Sequence, residues 1–92
     1  MVESIKWLVN NLNDWHIPYE LTDDVMGNKD NQLWYPNREN PICDVICHSY
    51  SYGGKEGLLE IMGLNENEDG VEGYLLPGEV FNRIFWHYCR NN

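Results

Sequence analysis

The apolar residues of this chain change period twice, and that change limits its fold more than any other feature. Near the N-terminus, Ile5, Leu8, Val9, Leu12 and His16 recur at i, i+3, i+4, i+7 and i+11, the stripe of a helix lying on a core. In the middle, "ICDVICHS" (Ile42 to Ser49) alternates: Ile42, Asp44, Ile46 and His48 point one way, and Cys43, Val45 and Cys47 the other. Toward the C-terminus, Val80, Phe81, Ile84, Phe85 and Tyr88 return to helical spacing. With 92 residues there is material for one core and not two. The pattern therefore predicts a single α+β domain over residues 1–92: a small, mostly antiparallel sheet of three to five short strands flanked by N-terminal and C-terminal helices.

The punctuation fits that order. The first helix is expected from Glu3 to His16, stopped by Pro18. "IPYELT" (Ile17 to Thr22) is a short strand, "DDVMGNKDNQ" a polar loop, and "LWY" (Leu33 to Tyr35) a strand ended by Pro36. "GLLEIMG" (Gly57 to Gly63) sets Leu59 and Ile61 opposite Leu58, Glu60 and Met62, with "SYSYGGKE" as the connection and Gly53 and Gly54 supplying positive φ. "NENEDG" is a polar loop and "VEGYL" (Val71 to Leu75) a further strand. Pro77 suits the first position of the last helix, which runs to about Cys89 with Glu79 in its first turn, although Leu76 stands where a capping Ser, Thr or Asp is expected.

Reactive residue types concentrate between Cys43 and Leu64, but their spacing opposes chemistry. On a strand, Cys43 and Cys47 lie roughly 13 Å apart at about 3.3 Å per residue, too far to share a zinc ion. His48 faces away from Cys47, and no C-x-x-C knuckle brings in Cys89 or His87. Cys47 with His87 could be drawn as a nucleophilic dyad, but nothing nearby supplies an oxyanion hole or a third orienting group. "NENEDG" has part of the order of a calcium loop, with Asn65, Asn67, Asp69 and Gly70, yet Leu76 occupies the twelfth position where a bidentate Glu is required. "GGKEG" lacks the spacing of a phosphate loop. No catalytic residue, metal or cofactor is expected, and the protein is not expected to be an enzyme. Three cysteines and an N-terminus without a basic, apolar leader point to the reducing cytoplasm, and no apolar run approaches the length of a membrane span.

Charge and tryptophan remain. Fifteen acids against six bases give −9, which disfavours direct contact with nucleic acid or anionic membrane and favours a basic protein surface. From Glu56 to Asn82 there are seven carboxylates and no Lys or Arg. Glu66, Glu68, Asp69 and Glu72 form the densest part of that run. Such a run is ordinarily a solvated face, and it can also mimic a phosphate backbone to a basic cleft. At 100° per residue, Trp7 lies about 140° from the centre of the first apolar stripe and Trp86 about 170° from the second. Trp on a polar helix face is either covered by other parts of the fold or anchors an interface. The expected binding residues are therefore Trp7, Trp86, Glu66, Glu68, Asp69 and Glu72.

At "GLLEIMGL", "VEGYL" and "EVFNRI" the chain resembles small α+β proteins encoded by phages and prophages of Gram-positive bacteria, over about Cys43 to Ile84. The resemblance implies a protein acting in the host cytoplasm by binding and blocking a host protein, as the anti-CRISPR class does. The expected partner is a defence nuclease such as a CRISPR effector, engaged on its basic, nucleic-acid-binding surface. Two other readings stay open: a binder that sequesters a nucleotide signal, and a homo-oligomeric phage structural or assembly protein. A homodimer is compatible with the first reading as well.

Overall fold

The structure is a computed structural model describing residues 1–23, 31–66 and 70–92. Helix α1 (Glu3–Asp14) leads into strands β1 (Glu20–Asp23), β2 (Asn31–Tyr35), β3 (Cys43–Ile46), β4 (Leu59–Met62) and β5 (Val71–Leu75), and helix α2 (Pro77–Asn91) ends the chain. The five strands form one antiparallel sheet in the order β1-β2-β3-β4-β5. This is the α+β architecture that the two changes of period predict. Among the described residues, no helix is long and apolar enough to cross a membrane.

Alternation decides which face of the sheet the helices cover. Leu33, Val45 and Ile61 are register neighbours across β2, β3 and β4, and all three are fully buried. Ile5, Leu8 and Leu12 of α1 and Val80 and Ile84 of α2 are buried in the same core. On the opposite face, Trp34, Asp44 and Met62 form a cross-strand row, and Met62 is 53% exposed. Cys43 and Cys47 are buried, as their side of the alternation requires, and Cys89 is exposed.

The expected boundaries shift where turn chemistry overrides pattern. His16 does not join the buried stripe. It is exposed at φ 57°, just past the C-cap Trp15. Its N–H donates to the Asn13 carbonyl at 3.1 Å, and the Ile17 N–H donates to the Leu12 carbonyl at 2.9 Å. This pair of bonds is a Schellman ending, with buried Ile17 and Leu12 as its hydrophobic contact. It removes Ile17 from the expected strand, so β1 starts only at Glu20. Asn31 and Gln32, expected in the loop, pair with β1 instead, and Asp24 to Asp30 lie outside the described residues. Gly53 has the expected positive φ of 90°, but Gly54 does not, and it opens a short 3-10 turn, Gly54–Glu56. At the start of α2, Leu76 is indeed the N-cap. The Glu79 carboxylate accepts the Leu76 N–H at 3.0 Å, half of a capping box, and Leu has no side-chain oxygen to supply the other half.

The two helices lie side by side. Trp7 of α1 meets Phe81 of α2, with ring centroids 6.3 Å apart, and Trp15 meets Phe85 at 5.0 Å. Both contacts advance in the same direction, so the helices run in the same sense. An odd number of antiparallel strands between them is consistent with this. Phe81, Phe85 and Tyr88, expected with Val80 and Ile84 on one apolar face, are only half-buried, and Phe81 and Phe85 fill the seam beside α1 rather than the sheet.

Candidate functional site

The buried Cys43 thiol is not poised for chemistry. Burial, with the neighbouring Asp44 charge adding to it, pushes the Cys43 thiol up to about 12, the opposite of what a nucleophile or metal ligand needs. Cys47 Sγ lies 3.9 Å from the Gly54 carbonyl, as a weak donor. His87, drawn above as a partner for Cys47, is engaged elsewhere: its Nδ1 is 2.8 Å from the Tyr35 hydroxyl. Burial above all, with Cys43, Tyr88 and Cys89 adding to it, raises Tyr35 to about 12. The phenol therefore keeps its proton, and it donates to Nδ1 in the tautomer that carries the His87 hydrogen on Nε2. Among the described residues, no group of three His, Cys, Asp or Glu could hold a metal ion.

The expected binding residues separate into different surroundings. Trp86 and Glu66 line one open cleft of about 390 Å³, together with Leu64, Arg83, His87, Arg90 and Asn91. Trp7 is not in it. That residue lies against the start of α2, its Cη2 4.0 Å from where a Cβ on Gly78 would be. Glu72 is on β5 opposite Ile61, hence on the helix side of the sheet, where Arg83 grips it with two bonds of 2.8 and 2.9 Å. The Glu66 N–H also donates to Glu72, at 2.8 Å. Glu68 and Asp69 lie outside the described residues. The two arginines of the cleft are matched by Glu66 and Glu72, so the cleft has no excess of positive charge to select an anion.

The Arg83 hydrogen bonds, followed by the Glu66 N–H, hold the Glu72 carboxyl at about 2, well below the ordinary 4.5. Its folded-state value is depressed, so this pair stabilises the fold fully above about pH 4.5 and ceases to do so as the pH falls toward 2. A Glu72→Gln variant is accordingly less stable than the wild type at neutral pH, and the two converge in strong acid. Urea midpoints taken from pH 7 to pH 2 check this. Parallel curves with a constant offset would show that the ion pair contributes nothing.

On the uncovered sheet face, the Gln32 amide donates to Asp44 Oδ2 at 2.8 Å, while Gln32 Oε1 is buried with no partner. Burial pushes the Asp44 carboxyl up; the Gln32 bond opposes that and Glu60 reinforces it. Trp34 Nε1 donates to Thr22 Oγ1 at 2.8 Å, and the Arg38 guanidinium carbon lies 5.9 Å from the Trp34 ring centre. Tyr52, 61% exposed, is drawn to the same face because its N–H donates to Glu60 Oε1 at 2.9 Å and its carbonyl accepts the Tyr74 N–H at 3.0 Å. The composition of this face was legible as alternation. Its link to Tyr52 was not, because it depends on a loop folding back over β5.

The charge is segregated between the layers. In α1 and α2, Glu3, Asp14 and Glu79 are balanced by Lys6, Arg83 and Arg90. Among the described residues outside the helices there are eight acids against Arg38 and Lys55, so the strands and their described connections carry a net −6. Sequence reading missed this division, although counting charges separately in each expected helix would have found it.

Compared with models of protein families, with curated proteins and with solved structures, the chain matches none.

Proposed function

We propose that this protein is a non-enzymatic binding protein that docks its acidic sheet side on a basic surface of a partner protein. The segregation of charge is the observation that supports this reading. A sheet side whose described strands and connections carry a net −6 steers a basic partner and repels nucleic acid, while exposed Tyr52 and Met62 beside Glu60 supply contact area. Together with the resemblance to phage-encoded proteins, the chemistry fits an inhibitor in the host cytoplasm that covers the nucleic-acid-binding surface of a defence nuclease, as anti-CRISPR proteins do.

The test is capture from a lysate of Gram-positive bacteria, followed by binding kinetics with the captured protein. The wild type is compared with a variant in which Glu56, Glu66, Glu68 and Asp69 are each replaced by Lys, leaving the Glu72–Arg83 pair in place. The expected partner has a basic surface, its association with the wild type slows steeply as salt rises, and the variant associates about tenfold more slowly or worse. A partner that binds both proteins alike, with the same salt dependence, would remove this reading.

A further inference from the structure

The sheet side accounts for the charge and leaves the helical layer unexplained. Five rings are in contact across its outer surface. Trp7 meets Phe81, Phe81 stacks on Phe85 with centroids 5.7 Å apart, and Phe85 meets both Trp15 at 5.0 Å and Trp86 at 6.0 Å. The three tryptophans are 43%, 58% and 61% exposed for Trp7, Trp15 and Trp86. Single exposed apolar residues are ordinary, whereas a connected patch of large rings marks a contact surface.

We propose that this surface is a homodimer interface and that its occupant is a second copy of this chain. Charge selects that occupant. A basic partner would meet Lys6 and Arg90 here, and an acidic one would meet Glu3, Asp14 and Glu79, while Arg83 is taken up by Glu72. A surface carrying charges of both signs in nearly equal number can pair with itself, which a two-fold interface requires because the same patch serves both subunits. Two molecules of −9 repel each other in most orientations. With the helical layers in contact, the acidic sheets are on opposite outer sides, farther apart than the screening length of ~8 Å at physiological salt. Size is compatible too. The Cα extents are 34 × 27 × 24 Å, so one face offers on the order of 800 Å², the share of each partner in a standard interface. The contact therefore uses the layer nearly whole, flanking charges as well as rings. Such a dimer leaves both acidic sides free, and the inference stands or falls independently of what they bind.

Sedimentation equilibrium of the full chain decides the matter, with a Trp15→Ser/Trp86→Ser variant as comparison. These two positions are the most exposed of the seam, and Trp7, which leans on Phe81, is left in place. The wild type is expected at twice the monomer mass of 10.9 kDa. Its association should hold or tighten in about 1 M salt, where the screening length is ~3 Å and the residual repulsion disappears. The variant should dimerise about 30-fold more weakly or not at all, the effect of losing an aromatic hot spot, with an unchanged far-ultraviolet spectrum. Tryptophan emission of the wild type should also move to shorter wavelength as concentration passes through the dimer range, a readout that needs no variant. A wild type that remains monomeric at high concentration overturns the proposal. So does a dimer equally strong in the variant, or one formed without any shift in emission.

Discussion

Replacing Gly54 by Ala is expected to destabilise the fold by about 3–5 kcal/mol, against a total of ~5–15 kcal/mol for a domain of this kind. A Cβ on Gly54 would overlap the His48 carbonyl oxygen and Ser51 Oγ and lie 2.7 Å from the His48 carbonyl carbon. Two of those atoms are backbone and cannot rotate aside. The same carbonyl accepts the Ser51 N–H at 3.1 Å and the Ser51 hydroxyl at 2.8 Å, while Ser51 Oγ accepts the His48 N–H at 2.9 Å. Room for a methyl group comes only by opening this closed set of bonds, and with it the turn that carries Tyr52 to β5. Gly57 is the control. Its φ of 75° disfavours a side chain, but a Cβ there meets nothing within 4 Å. Gly57→Ala should therefore cost only about 1–2 kcal/mol, from conformation alone. Urea denaturation of both variants compares the two causes, and equal losses would show that close approach at Gly54 is not the constraint.

The second large effect is on β4. Ile61→Ala is expected to cost about 2–5 kcal/mol, and Met62→Ala no more than about 0.5 kcal/mol. The residues are adjacent and similar in size, but the pleat turns them to opposite faces. Ile61 is fully buried between Val45 and β5 beneath the helices, whereas Met62 is 53% exposed on the open face. A slip of one residue in the β3–β4 register would exchange them, so the pair tests the register directly. A larger loss at Met62 than at Ile61 would mean that the helices cover the other face.

Elements whose signal is local and repeated were legible in the sequence. The 3.6 period of Ile5, Leu8 and Leu12 and the alternation of Cys43, Val45 and Cys47 each report one buried face, and burial follows them. Local signals failed where a single turn competes with the pattern. His16 has the right spacing for the stripe, but the Schellman bonds hold it outside. Gly54 reads as a residue chosen for positive φ, and it is there for space.

The proposed binding surfaces were legible only in part. Trp7 and Trp86 do stand out as exposed rings. The seam they belong to depends on Phe81 and Phe85 reaching α1 from the far end of the chain, and on five strands returning α2 beside α1 in the same sense. Glu72 reads as one more acid in a run, yet the arginine that neutralises it comes from another element.

The sequence by itself determined the buried centre of each regular element, such as Ile5, Leu8, Leu12, Val45 and Ile84, because burial within a helix or strand follows a period set by backbone geometry. It also determined the total charge. Only the tertiary structure decided where that charge is presented and which exposed rings touch. Both depend on which faces of separate elements meet, and contacts between elements far apart in the chain leave no periodic trace within either one.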